Sequence, residues 1–114
     1  MSILPKLKKL KVLDLSGTKV SNLKPLAQLK KLQSLDLSGT QVADLEPLIQ
    51  LYLMEELDLK STKMTDFSGL SNLPYLRKLT LPKQLEGSQS IRQLRLKLPK
   101  LSIDFGVYRY QIKS

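Results

Sequence analysis

Asp14, Asp36 and Asp58 recur at steps of 22 residues, each set between two leucines, and Glu56 stands two places before the last of them. Carboxylates in such positions suggest three kinds of chemistry. A pair such as Glu56 and Asp58 has the residue types of a glycoside hydrolase acid–base pair. Successive aspartates could offer oxygen ligands to a divalent cation. A row of acids on one surface attracts a basic partner surface. Other reactive groups are few. The chain has no histidine and no cysteine. That removes Ser-His-Asp and Cys-His arrangements, most zinc sites and every disulfide. Gly17 and Gly39 stand alone in turns, and neither Gly-x-Gly-x-x-Gly nor Gly-x4-Gly-Lys occurs, so no phosphate loop is encoded.

The elements that carry these acids repeat with the same period. The pairs Leu13/Leu15, Leu35/Leu37, Leu57/Leu59, Leu79/Leu81 and Leu101/Ile103 begin 22 residues apart. Thr18, Thr40 and Thr62 keep that step, as do Val20, Val42 and Met64. A fixed period in this range with leucines at fixed offsets is the signature of a solenoid. Within the unit from Leu35 to Glu56, Leu35 and Leu37 have strand spacing, which sends Asp36 to the opposite face. From Val42 the apolar spacing becomes three: Leu45, Leu48, Leu51 and Met54. That period suits short helical or 3-10 turns returning the chain to the next strand. Gly39 permits a turn with positive φ, and the Thr40 hydroxyl can bond backbone as the chain leaves the strand. Pro25 and Pro47 inside the return segment exclude a long regular helix.

The segment Leu10-x-x-Leu13-x-Leu15-x-x-Thr18-x-Val20, with its copies at 32–42 and 54–64, resembles the leucine-rich repeat pattern, with Thr where that family more often has Asn or Cys. The run Leu-Asp-Leu-Ser-Gly-Thr-x-Val at 13–20 and 35–42 is similar to the short 22-residue subclass of bacterial internalins and phosphatase-regulatory leucine-rich proteins. The resemblance implies an α/β solenoid: a right-handed horseshoe with a parallel β-sheet on the concave face and short helical or 3-10 turns on the convex face. It is strong over residues 4–81 and weakens where Pro82-Lys83-Gln84 replaces Ser-Gly-Thr.

One domain over 1–114 is expected. Residues 1–12 read as a partial first repeat, 13–34, 35–56 and 57–78 as regular repeats, 79–100 as a degenerate repeat with a helix, and 101–114 as a C-terminal cap of strand and tail. Ser90-Ile91-Arg92-Gln93 reads as a capping box opening that helix, with Ile91, Leu94 and Leu98 on its buried face and Pro99 ending it. Val107, Tyr108, Tyr110 and Ile112 are expected to fold over the core edge.

Five stacked strands place exposed side chains in columns on the concave face. One column is Asp14, Asp36, Asp58, Thr80 and Ser102. Its neighbours are Val12, Ser34, Glu56, Lys78, Lys100 and Ser16, Ser38, Lys60, Pro82, Asp104. Carboxylates about 4.8 Å apart repel by about 1 kcal/mol in water, a cost that something must offset. The column is read either as solvated acids common to such repeats or as an acidic stripe for a basic partner. Three carboxylates on a gently curved sheet give too few ligands for a cation, and an open sheet gives Glu56 and Asp58 no deep pocket for hydrolysis.

Net charge is +9 but unevenly placed. Residues 1–35 carry eight lysines against Asp14, and residues 77–114 carry nine basic residues against Glu86 and Asp104. Residues 36–76 carry seven acids against Lys60 and Lys63. Basic ends and an acidic middle differ from a uniformly basic nucleic-acid binder, and aromatics for base stacking are few. No apolar run is long enough to cross a membrane as a helix, no signal peptide is recognisable, and the absence of cysteine fits the cytoplasm, with a secreted effector as the alternative. The sequence is therefore read as a non-enzymatic protein-binding module without cofactor or metal. The contact residues would be Asp14, Asp36, Asp58, Ser16, Ser38, Lys60, Ser34, Glu56, Lys78 and Thr80, facing another protein with a basic patch. The alternatives are a regulatory or targeting segment of a larger enzyme or receptor, and anionic-surface or nucleic-acid binding through the basic ends.

Overall fold

The leucines that recur every third residue set the path of the backbone. In the first full coil Leu26 N–H donates to the Leu23 carbonyl at 2.9 Å, Leu29 to Leu26 at 2.9 Å and Leu32 to Leu29 at 3.0 Å. The next coil repeats this from Leu45 through Leu48 and Leu51 to Met54, and the third from Phe67 through Leu70 and Leu73 to Leu76. Side chains three apart eclipse in 3-10 geometry. Each return segment therefore sends one row of apolar groups inward, and every residue just named is buried. The computed structural model, which describes residues 8–64 and 67–105, shows 3-10 helices at Lys24–Gln28, Glu46–Leu48 and Ser68–Asn72. Pro25 and Pro47 sit at the openings of the first two, where a missing N–H costs nothing.

The return segments deliver five short strands: β1 (Val12–Asp14), β2 (Ser34–Asp36), β3 (Glu56–Asp58), β4 (Lys78–Leu81) and β5 (Ser102–Phe105). They form one parallel sheet in sequence order, and parallel crossovers of this kind are right-handed. Leu13, Leu35, Leu57 and Leu79 are register partners, and so are Asp14, Asp36, Asp58 and Thr80. The ladder runs past the strands, with Leu15, Leu37 and Leu59 donating to the carbonyls of Asp36, Asp58 and Thr80 at 2.8, 2.9 and 2.7 Å. The buried residues form one core along the stack. Its polar members are tied off locally: the hydroxyls of Thr40 and Thr62 donate to the carbonyls of Leu37 and Leu59 at 2.6 and 2.8 Å.

The last repeat departs from the expected register. Leu79 faces Ile103 rather than Leu101, Lys78 faces Ser102, and Thr80 faces Asp104. Ser102 and Asp104 therefore each sit one column away from the place the strict period assigns, and Lys100 precedes the strand. The return to β5 contains an α-helix, α1 (Gln89–Lys97), whose rise per residue is smaller than that of a 3-10 turn, so two extra residues span the same return. The helix also opens earlier than the Ser90 capping box predicts. Ser88 is the N-cap and its hydroxyl accepts from Ile91 N–H at 3.4 Å, because Gly87 at φ +85° turns the chain immediately before it. Ile91 and Leu94 are buried as expected, and Leu98 packs on the core. The start of the expected partial first repeat, residues 1–7, and the expected packing of Val107 to Ile112 lie outside the described residues.

Replacing Leu57 by Ala at the centre of the core is expected to cost about 2–5 kcal/mol, read from urea unfolding; a loss below 1 kcal/mol, by the same scale, would contradict a stacked leucine column. The turn offers a test of opposite sign. Ser61 adopts φ +58°, at the position that Gly17 and Gly39 occupy with φ +73° and +71°. A left-handed residue with a Cβ costs about 1–2 kcal/mol, partly balanced by the entropy of glycine. Ser61→Gly is expected to stabilise by about 0.5–1 kcal/mol, read by the same unfolding measurement.

Candidate functional site

Each aspartate of the central column closes the turn that follows its own strand. One carboxylate oxygen, Oδ1, accepts the backbone N–H two residues on: Ser16 to Asp14 at 2.9 Å, Ser38 to Asp36 at 2.9 Å and Lys60 to Asp58 at 3.0 Å. This is the local bond by which Asp initiates turns, and it supplies the compensation that a row of acids requires. At Asp14 the Ser16 hydroxyl adds a second bond at 2.6 Å. That hydroxyl, and then the Ser16 N–H, hold the Asp14 carboxyl below its ordinary pKa. The same residue type thus folds the turn and leaves negative charge on the sheet face.

A shallow depression of about 170 Å³ lies on that face over β2 to β4. Ser34, Asp36, Glu56, Asp58, Lys78 and Thr80 line it, with Leu35 and Leu57. Six of the ten residues singled out in the sequence are thereby brought together. Asp14, Ser16, Ser38 and Lys60 are not among its walls. Asp36 and Asp58 are half-buried and in register.

The charges of this site are less free than the sequence suggests. Arg77 donates from Nε to Glu55 Oε1 at 3.3 Å and from its terminal nitrogen to Glu56 Oε2 at 2.5 Å. Lys60 Nζ lies 3.7 Å from Asp58 Oδ2. Glu56 and Asp58 therefore carry internal counter-charges, whereas Asp36 has no ion pair among the described residues. Sequence reasoning missed Arg77. The signal was its offset of 22 residues from Glu55, which places the two on adjacent coils: Arg77 N–H donates to the Glu55 carbonyl at 2.9 Å. These pairs reach the surface, though Asp58 is half-buried, and surface pairs are worth about 0–1 kcal/mol, so an incoming cation can displace them. Among the described residues no group of three or more acidic, histidine or cysteine side chains is gathered closely enough to hold a metal ion.

A family model of leucine-rich repeats, two copies in tandem, matches residues 4–50. With the 22-residue period and the parallel sheet, that decides the fold. The chain folds as a leucine-rich repeat solenoid. Solved structures agree in fold. Internalin C2 of Listeria monocytogenes shares 32% identity over 79% of this chain, with a TM-score of 0.65. A leucine-rich repeat protein of Leptospira interrogans shares 30% identity over 84%, with a TM-score of 0.72. A second Listeria internalin, 24% identical over 93% of the chain with a TM-score of 0.76, is a likeness of fold alone. The chain spans 43%, 25% and 31% of those three proteins respectively. No curated protein matches the chain.

The lowered pKa of Asp14 gives a pH dependence with a definite sign. Its folded value lies below the unfolded value of about 3.9. The stability it contributes is therefore present above that pH and lost as pH falls through the folded value. In urea unfolding from about pH 6 down to about pH 2, the advantage of wild type over Asp14→Asn should shrink below about pH 4. A constant difference across that range would show that Ser16 does not favour the ionised carboxyl.

Proposed function

We propose that this leucine-rich repeat chain is a non-enzymatic module that binds another protein through its sheet face. A lysine or arginine of the partner would seat between Asp36 and Asp58. The observation that carries this is the depression over β2 to β4, where Asp36 presents a half-buried carboxylate without an ion pair among the described residues. Leucine-rich repeats generally mediate contacts between proteins, which supports the class of function. Asp14, Ser16, Ser38 and Lys60 would form the rim, and Lys60 and Lys78 would reject a uniformly basic surface and set the orientation of a mixed one. The module needs no cofactor. The absence of cysteine suits the cytoplasm, the compartment we assign, with an exported form as the alternative.

The test must remove charge without opening the turns, so Asn replaces Asp and keeps the Oδ1 acceptor. A fluorescently labelled peptide of alternating lysine and serine serves as probe, followed by anisotropy. Asp36→Asn with Asp58→Asn should weaken binding about tenfold or more, equivalent to about 1.4 kcal/mol. Added salt should weaken the wild-type complex. Glu46→Gln, on the 3-10 return away from the sheet, should change little. Equal loss in the control, or none in the Asp pair, would contradict the assignment.

A further inference from the structure

The sheet face is poor in the residue types that dominate protein interfaces, whereas one edge of the solenoid is rich in them. Each coil reaches its strand through the same tight turn of two exposed residues between two apolar ones. The N–H of Leu32, Met54, Leu76 and Leu101 donates to the carbonyl three residues back, at Leu29, Leu51, Leu73 and Leu98 respectively, at 3.0, 3.0, 3.3 and 3.0 Å. The turn residues are Lys30 and Lys31, Tyr52 and Leu53, Pro74 and Tyr75, and Pro99 and Lys100, and all are exposed. Lys8 and Lys9 hold the equivalent place 22 residues earlier. Stacked coils align these turns into a ridge beside the N-terminal ends of the strands.

Its centre is apolar and its flanks are cationic. Tyr52 is 60% exposed, Tyr75 61% and Leu53 39%; the other large exposed apolar side chains among the described residues, Val12 and Leu96, lie off the ridge. Tyrosine is enriched at interfaces and in their hot spots. Adjacent coils are about 4.8 Å apart, so a single apolar side chain can lie across Tyr52 and Tyr75. The ridge lysines form none of the ion pairs found among the described residues, which engage Lys60, Arg77 and Lys83. Glu55 and Glu56, just behind the tyrosines, share Arg77 and keep one net negative charge there.

We propose that this ridge is a second interaction surface, which takes an acidic protein segment carrying an apolar or aromatic residue between its acids. The apolar residue would lie across Tyr52, Leu53 and Tyr75, and the acids would meet Lys30 and Lys31 on one side and Lys100 on the other. The span from the second coil to the fifth is about 14 Å at the strand spacing, the reach of about four or five extended residues. Charge decides the occupant. A net +9 opposes a second copy of the chain. Nucleic acid or an anionic membrane would bring Glu55, Glu56 and Asp36 against a polyanion. An acidic segment that lies along the ridge avoids them. The surface is independent of the sheet-face site and of opposite charge preference.

A random-peptide display selection against the full chain tests this, with Tyr52→Ser and Tyr75→Ser together as one variant and Lys30→Glu with Lys31→Glu as another. All four side chains are exposed, so circular dichroism should report wild-type folding. Phosphatidylserine vesicles and single-stranded DNA are assayed in parallel. The expected result is a set of enriched peptides with acids flanking an apolar residue. Their binding should fall at least tenfold in either variant and persist in Asp36→Asn with Asp58→Asn. The proposal is overturned if no acidic-apolar peptides are enriched, if such peptides bind both ridge variants as wild type, or if vesicles or DNA bind through the tyrosines and the peptides do not. Basic peptides lost only with Asp36 and Asp58, with no acidic-apolar peptides enriched beside them, would support the sheet-face function and leave the ridge refuted.

Discussion

The structure depends on one coincidence of step: apolar side chains every third residue along a backbone whose N–H groups bond three residues back. Where the two steps agree, every turn of the return segment contributes one buried group and satisfies its own backbone. Neither a strand nor an α-helix would keep Leu23, Leu26, Leu29 and Leu32 in a single row. The coil length follows from that row, and equal coil lengths bring Leu13, Leu35, Leu57 and Leu79 into register. Everything on the sheet face inherits its position from that stacking.

The aspartates show how a row of acids can be carried without becoming a structural liability. A column of like charges on adjacent strands is unfavourable alone. Here one oxygen of each carboxylate is engaged by the N–H that begins the next turn, so the charge is partly compensated before any partner arrives. Lys60 and Arg77 compensate Asp58 and Glu56 further. Asp36, between Asp14 and Asp58 in the column, is the least compensated acid of the depression, which makes it the place where a partner's cation would gain most. Aromatic contact area lies elsewhere, on the edge ridge of Tyr52 and Tyr75. Charged and aromatic surface are thus separated on the solenoid.

Most of the fold was legible because a repeat states its geometry several times over. The parallel sheet, the 3-10 returns, the proline openings and the hydroxyl bonds of Thr40 and Thr62 all follow from residue spacing in the regular coils. The period failed where the return segment changed its helix type. Between Leu81 and β5 a 3-10 turn at Lys83–Leu85 is followed by α1, two additional residues are absorbed, and Ile103 rather than Leu101 faces Leu79. The helix was expected from Ile91, Leu94 and Leu98, but a strict 22-residue step carried through it ignores its smaller rise per residue. The placement of the candidate residues was legible as two adjacent columns, since Ser34, Glu56 and Lys78 lie beside Asp36, Asp58 and Thr80 around one depression. Its electrostatics were not, because Arg77 sits before its strand and reaches Glu55 and Glu56 by a lateral contact.

In the proposed binding mode the central carboxylates hold the turns with one oxygen and offer the other to a partner's cation. A carbon-detected NMR titration of the side-chain carboxyl signals with a lysine-rich peptide reads both oxygens' roles at once. The Asp36 and Asp58 carboxyl carbons are expected to shift first and saturably, while the amide signals of Ser38 and Lys60 keep their hydrogen-bonded positions. Shifts confined to the carboxyls of Asp44, Glu46 or Glu86, with Asp36 unmoved, would contradict it.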